Sequence, residues 1–194
     1  MPSSVARLVG LDHERLIRLL KRACESGPNQ DRWRNEFASL LRAHRVAERD
    51  ELLDEIAKTQ PELAPAAARQ DQTDHELDRV ADQVTGADLA DAAFADLCGR
   101  ARHLVATHGE SLRTAVLDPL GKVVGRKEMR RLGGCYESRR DEQLRVAQLH
   151  PTPSRRLDVS RAELYELAKR AGVGGRSGMS RDELIIELQR RQIH

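Results

Sequence analysis

Apolar residues recur along the first 120 positions at the three- and four-residue spacing of α-helices, in four blocks separated by breakers. In the first block, starting near Ser4, His13, Leu16, Ile17 and Leu20 follow the i, i+3, i+4, i+7 rule. In the second, Trp33, Phe37, Leu40, Leu41, His44, Glu48, Leu52 and Ile56 share one face. A shorter third stripe runs through Leu77, Ala81 and Val84, and a fourth through Leu97, Ala101, Leu104, Val105, His108, Leu112 and Val116. Gly27-Pro28-Asn29 ends the first block, Pro61 and Pro65 the second, Thr85-Gly86 the third, and Pro119 with Gly121 the fourth. Connections this short favour antiparallel neighbours, so the predicted fold is all-α, an up-down-up-down four-helix bundle over residues 1–120.

Polar residues on these apolar stripes carry the chemistry. His13, His44, Glu48 and His108 all face inward, whereas His103 points away. On the third helix, stepping back three residues from Leu77 reaches Asp74, and His75 sits about 100° further round. Both stay candidates. Imidazoles and a carboxylate drawn from different helices of one bundle are how a bundle core holds a metal ion. The candidate ligands are therefore His13, His44, Glu48, Asp74 or His75, and His108.

Beyond residue 120 the pattern changes. Residues 121–156 read as a basic linker, interrupted by Gly121, Gly125 and Gly133-Gly134, with a short amphipathic helix near 137–149 and an extended Pro151–Arg156 stretch. Residues 157–194 form a second unit. Ser160-Arg-Ala-Glu163 and Ser180-Arg-Asp-Glu183 are capping boxes, opening helices striped by Leu164, Leu167 and Ala168 and by Leu184, Ile185 and Leu188. A glycine-rich turn, Ala171 to Gly178, joins them into a small helical hairpin.

Composition sharpens this outline. Charged residues make up 33% of the 194 and aromatics 3%, which favours helix and leaves few strand formers. The net charge of +2 hides a division: residues 1–120 hold 16 Lys+Arg against 21 Asp+Glu, and residues 121–194 hold 17 against 10. A basic end on an acidic body points to an anionic partner such as nucleic acid. With no apolar run near the roughly 20 residues that span a bilayer and no secretory leader pattern, the expectation is a cytoplasmic protein with no membrane partner. Cys24, Cys98 and Cys135 are odd in number and widely spaced, and are expected as free thiols.

The string His44-Arg-Val-Ala-Glu48 followed by Leu52, the Asp12-His13 dipeptide, and the His108 helix ending in Leu117-Asp-Pro119 resemble hemerythrin-like (HHE cation-binding) proteins over roughly residues 5–120. That resemblance implies a non-haem di-iron site in the bundle core that binds dioxygen or peroxide, or senses iron or redox state. It also implies Glu48 as a bridging carboxylate. Leu112 stands where the family places a second carboxylate, and Asp74 where it places a histidine. Losing an anionic ligand weakens a two-metal site and favours a single ion.

The segment from Leu164 to Ile186 resembles the small SAP-like N-terminal domain of the transcription terminator Rho, over about residues 157–191. This implies docking on nucleic acid or a partner, with Lys169, Arg170, Arg176 and Arg181 as phosphate-contacting candidates. Only Tyr165 offers base stacking.

No nucleophile–base pair, phosphate-binding loop or paired catalytic acid is evident, which argues against hydrolase or NTPase activity. The leading expectation is a metal-binding protein that senses or handles oxygen or iron. The alternative is a metal-free interaction protein with a nucleic-acid-binding tail. A peroxide-consuming enzyme ranks third.

Overall fold

In the computed structural model, which describes residues 3–25, 27, 29–89, 93–149 and 161–190, the chain is helical and no strand occurs among those residues. It divides into two compact units, Met1–Val146 and Ala147–His194. Among the described residues no helix is long and apolar enough to cross a membrane.

The first unit starts with α1, Val5–Cys24. Next comes α2, Gln30–Glu48, which continues through a π-helical turn, Arg49–Leu53, into α3, Asp54–Thr59. After a turn at Pro61 come α4, Ala64–Gly86, and α5, Ala93–Leu112. A second π-helical turn, Arg113–Leu117, leads directly into α6, Asp118–Leu149, which is bent at Gly125. Helix α1 packs against α2 and α5, and α4 packs against both of those, so four helices close a ring.

Two apolar layers fill the ring. One is built around Leu16, Leu20, Phe37, Leu41, Leu77 and Val105, the other around Val5, Leu52, Ile56, Leu112 and Val116. Each fully buried aliphatic side chain contributes about 1.5–3 kcal/mol. On every helix of the ring buried polar residues interrupt this stabilisation: His13, His44, Asp74 and His108 each fall between the residues of the two layers. A polar layer is thus held between two apolar ones.

Breakers act differently from the sequence-based expectation at two points. Pro65 opens α4 rather than closing the preceding helix, because the first turn of a helix has no use for the missing N–H. Pro119 does not end the fourth helix either; it lies in the first turn of α6, and the chain bends at Gly125, whose φ of 74° suits glycine. At the C-terminal end of α4 the carbonyls of Val84 and Ala87 accept hydrogen bonds from the buried Arg34 at 3.1 and 2.8 Å.

The expected basic linker is helical through Leu149 and belongs, as far as Val146, to the first unit. Met129, Leu132, Gly133 and Tyr136 repeat at i, i+3, i+4 and i+7, and their face is buried with the Val5 layer. Gly133 is required there. A Cβ at this position would overlap the Ser3 carbonyl oxygen and lie 3.0 Å from the Val5 amide nitrogen. The Pro151–Arg156 stretch lies outside the described residues.

The cysteine expectation also fails in part. Cys24 and Cys98 form a disulfide, with Cα atoms 6.3 Å apart, and Cys135 is the free thiol. The pairing follows from α1 packing beside α5, which brings the last turn of one to the first turns of the other.

In the second unit, α7, Arg161–Arg170, and α8, Arg181–Arg190, pack through Leu164, Ala168, Val173, Leu184 and Leu188. Gly172 and Gly175, both at positive φ, turn the chain between them. The Ser180 box is formed: the Glu183 amide donates to Ser180 Oγ at 3.3 Å and the Ser180 amide to Glu183 Oε2 at 2.7 Å. Ser160 of the other box lies outside the described residues.

Candidate metal centre

Four helices deliver the polar layer. His13 comes from α1, His44 and Glu48 from adjacent turns of α2, Asp74 from α4 and His108 from α5. His44, Glu48 and Asp74 are 0% exposed, His108 4% and His13 8%. His75, the other candidate on α4, is exposed, because it sits a quarter turn away from the Leu77 stripe; the site takes Asp74 instead.

The rings converge. Centroids of His13 and His44 lie 4.6 Å apart, His13 and His108 5.2 Å, and His44 and His108 6.0 Å. One ligand atom from each of these three histidines lies within 4.8 Å of the other two, and the same holds for Glu48, Asp74 and His108. Glu48 Oε2 links the groups, 3.1 Å from His108 Nε2 and 3.2 Å from His44 Nε2.

Close approach of α1 and α5 makes this possible. A Cβ on Gly109 would lie 2.8 Å from His13 Nδ1 and 3.0 Å from its Cγ. Glycine inside a helix costs about 1 kcal/mol relative to alanine. Here it leaves room for the His13 ring.

A ring of partners surrounds these side chains. Gln70 Nε2 lies 2.7 Å from His108 Nδ1 and donates to the His108 carbonyl at 3.3 Å, while Ser111 Oγ donates to Gln70 Oε1 at 3.1 Å. Arg45, itself buried, pairs with Asp74 at 3.5 Å and with Asp78. From α6, Tyr136 Oη lies 2.5 Å from His44 Nδ1 and donates to Asp12 Oδ2 at 2.6 Å. Arg140 Nη1 holds both oxygens of Asp12 at 2.9 and 3.1 Å.

Burial and mutual charge set the protonation of the group. Burial, reinforced by His44 and His108, pushes His13 down to about 2 and keeps it neutral. Burial opposes charge on His44 too, but its contacts with Asp12 and Glu48 outweigh that and raise it to about 9. Glu48 is held below the usual carboxylate range: burial works against ionisation, and His108 and His44 more than offset it. Burial and the Glu48 charge raise Asp74 to about 7.

Some buried atoms are left over. Among the described residues His13 Nε2, His44 Nε2, Glu48 Oε1 and both carboxylate oxygens of Asp74 are buried and make no hydrogen bond, although His44 Nε2 lies 3.2 Å from Glu48 Oε2 and the Asp74 oxygens lie 3.3 Å from His108 Nδ1 and 3.5 Å from Arg45. Such atoms are costly in a folded core, and here five belong to one layer. Neutral imidazole nitrogens and carboxylate oxygens are the donor set that suits iron, zinc or copper. The residues fit a metal ion.

Asp12, Gln70, Tyr136 and Arg140 have no place in the sequence-based ligand set. Asp12 shows only as the neighbour of His13, and Gln70 sits one turn before Asp74. Tyr136 and Arg140 had a readable signal, the Met129–Leu132–Tyr136–Arg140 spacing, obscured by glycines and basic residues around it.

The nucleic-acid candidates separate as well. Lys169, Arg170 and Arg181 are exposed, and Lys169 pairs with Glu166 at 3.5 Å. Arg176 instead donates to the Val173 carbonyl at 2.9 Å and lies 5.6 Å from the Tyr165 ring centroid, so it holds the turn and covers the one aromatic face.

No family model, curated protein or solved structure matches the chain.

Proposed function

We propose that the first unit is a hemerythrin-like four-helix bundle, extended by α6, whose core binds iron through His13, His44, Glu48 and His108, with Asp74 alongside. The observation that carries this reading is the convergence of buried imidazoles and carboxylates from four helices, with donor atoms on three of them, α1, α2 and α4, left without a hydrogen bond. Iron in such a site supplies redox chemistry and affinity for dioxygen or peroxide. The chain's own residues bind and orient the ion, and the apolar layers on either side exclude water. The function is sensing or handling of oxygen or iron rather than turnover. A single ion fits the set better than a pair. Leu112 supplies no carboxylate, and the Arg45 guanidinium already balances Asp74.

Metal analysis of protein purified from iron-supplemented cells, with an absorbance scan, tests this. About one iron per chain supports it. Less than about 0.3 favours the metal-free interaction protein, for which one observation speaks: Glu48 Oε2 already sits within ion-pair distance of two imidazoles.

Acidity should oppose binding. His44 carries a proton up to about pH 9, which must be lost before it acts as a ligand, and Asp74, beside the ion, carries one up to about pH 7 that a neighbouring cation would displace. Affinity is expected to rise with pH, with about one proton released per metal at pH 8 and about two at pH 6. Calorimetry in buffers of different ionisation enthalpy measures this directly. Equal release at both values would contradict the assignment.

For the second unit we propose docking of its SAP-like hairpin on nucleic acid backbone through Lys169, Arg170 and Arg181. Binding of the full chain to arbitrary duplex is expected to weaken steeply between 50 and 200 mM salt, by about tenfold or more. Salt-insensitive or absent binding removes the role.

A further inference from the structure

We propose that Tyr136 is the positioning residue of the metal centre, holding the His44 ring by its Nδ1 so that Nε2 faces the interior of the polar layer. The proposal rests on the metal-binding reading and names a residue from outside the four helices that supply ligands.

The geometry is specific. An imidazole that offers one nitrogen to a metal needs its other nitrogen anchored, and that second partner fixes ring orientation and tautomer. For His44 the anchored atom is Nδ1, 2.5 Å from Tyr136 Oη, while Nε2 makes no well-formed hydrogen bond and faces Glu48 Oε2 at 3.2 Å. The phenol hydrogen is already committed to Asp12 Oδ2 at 2.6 Å, so the oxygen accepts from Nδ1–H. Asp12 is itself held at both oxygens by Arg140. The chain of donors runs in one direction, His44 to Tyr136 to Asp12, and terminates on a carboxylate gripped by a guanidinium. Every hydrogen in it has an assigned acceptor.

The alternatives for His44 are poor. Asp12 Oδ2 is 3.7 Å from Nδ1, too far for a direct hydrogen bond. Tyr136 is 0% exposed, so water does not take over its role without a cavity. The tyrosine also lies on the one face of α6 that docks on the bundle. Arg139, on an adjoining face, pairs with Asp50 at 2.8 Å and helps hold the helix there.

The test is Tyr136→Phe, which keeps the ring and its packing and removes only the hydroxyl. Two readouts separate this proposal from the reading beneath it. In metal-free protein, 15N-edited NMR is expected to show a slowly exchanging, downfield His44 Nδ1 proton that is lost in Tyr136→Phe. In a competition titration with Fe(II) or Zn(II), the variant is expected to bind about 10- to 100-fold more weakly at unchanged stoichiometry. Asp12→Asn with Tyr136 intact is expected to give a smaller loss of the same kind. A His44 Nδ1 proton that persists in Tyr136→Phe would overturn the proposal, whether or not the protein binds metal. So would an affinity within twofold of the parent. Absence of metal binding in the parent with the NMR change present would overturn the metal reading and leave the His44–Tyr136 anchor established.

Discussion

Replacing Glu48 by glutamine is expected to reduce metal affinity by more than about 100-fold while the helices remain folded. Glu48 is the anionic centre of the layer, with one oxygen within 3.2 Å of two imidazole nitrogens and the other without a hydrogen-bond partner. Glutamine has the same shape but carries no charge and turns one acceptor into a donor. The change therefore removes the ligand whose charge best offsets a bound cation, and its effect should exceed the roughly 10- to 100-fold typical of outer partners. It also removes one of the two carboxylates that keep His44 protonated, so the His44 titration should move down from about 9. Competition with a fluorescent chelator measures the first effect and NMR titration the second. Parent-like affinity would show that Glu48 is only a buried partner of two histidines.

Gly109→Ala is expected to weaken binding by about 10- to 100-fold through geometry alone. The added methyl would lie 2.8 to 3.2 Å from three atoms of the His13 ring, and that ring is packed 4.6 Å from His44 and 5.2 Å from His108. The imidazole must swing away from the cluster, and one donor leaves the set. No charge changes. Helix propensity gains about 1 kcal/mol at the same position and offsets part of the roughly 1–3 kcal/mol cost of overpacking, so the metal-free protein should stay folded with a small change in thermal stability. Loss of affinity together with a retained fold is the signature of a glycine kept for close approach. Affinity within twofold of the parent would place His13 outside the ligand set.

Much of this site is legible in the chain because it obeys helix periodicity. His13, His44, Glu48 and His108 stand on long stripes of Leu, Ile and Val, and the structure brings the three histidines together, with Glu48 against His44 and His108. Asp74 and His75 are adjacent on a short stripe, where an error of one residue rotates a side chain by about 100°; only packing decides, and it buries Asp74. The partners one layer out escape because they depend on tertiary approach. Tyr136 is 92 residues from His44 and 124 from Asp12. The Cys24–Cys98 disulfide, 74 residues apart, escapes for the same reason. Helix α6 is masked locally: Gly133 resembles a breaker, yet it is the position at which the start of α1 approaches too closely for any side chain. Pro119 misleads in a related way: it follows directly on the π-helical turn Arg113–Leu117, and the helical path continues past it to the bend at Gly125.

X-ray absorption spectroscopy of the iron-loaded chain addresses the central claim most directly. Three histidines and Glu48 on one ion predict a first shell of nitrogen and oxygen at about 2.0–2.2 Å, with outer-shell scattering from about three imidazole rings. The imidazole signal should fall in His13→Ala, His44→Ala and His108→Ala alike. A shell of oxygen alone, unchanged in those three variants, would contradict a metal centre in the core of the bundle.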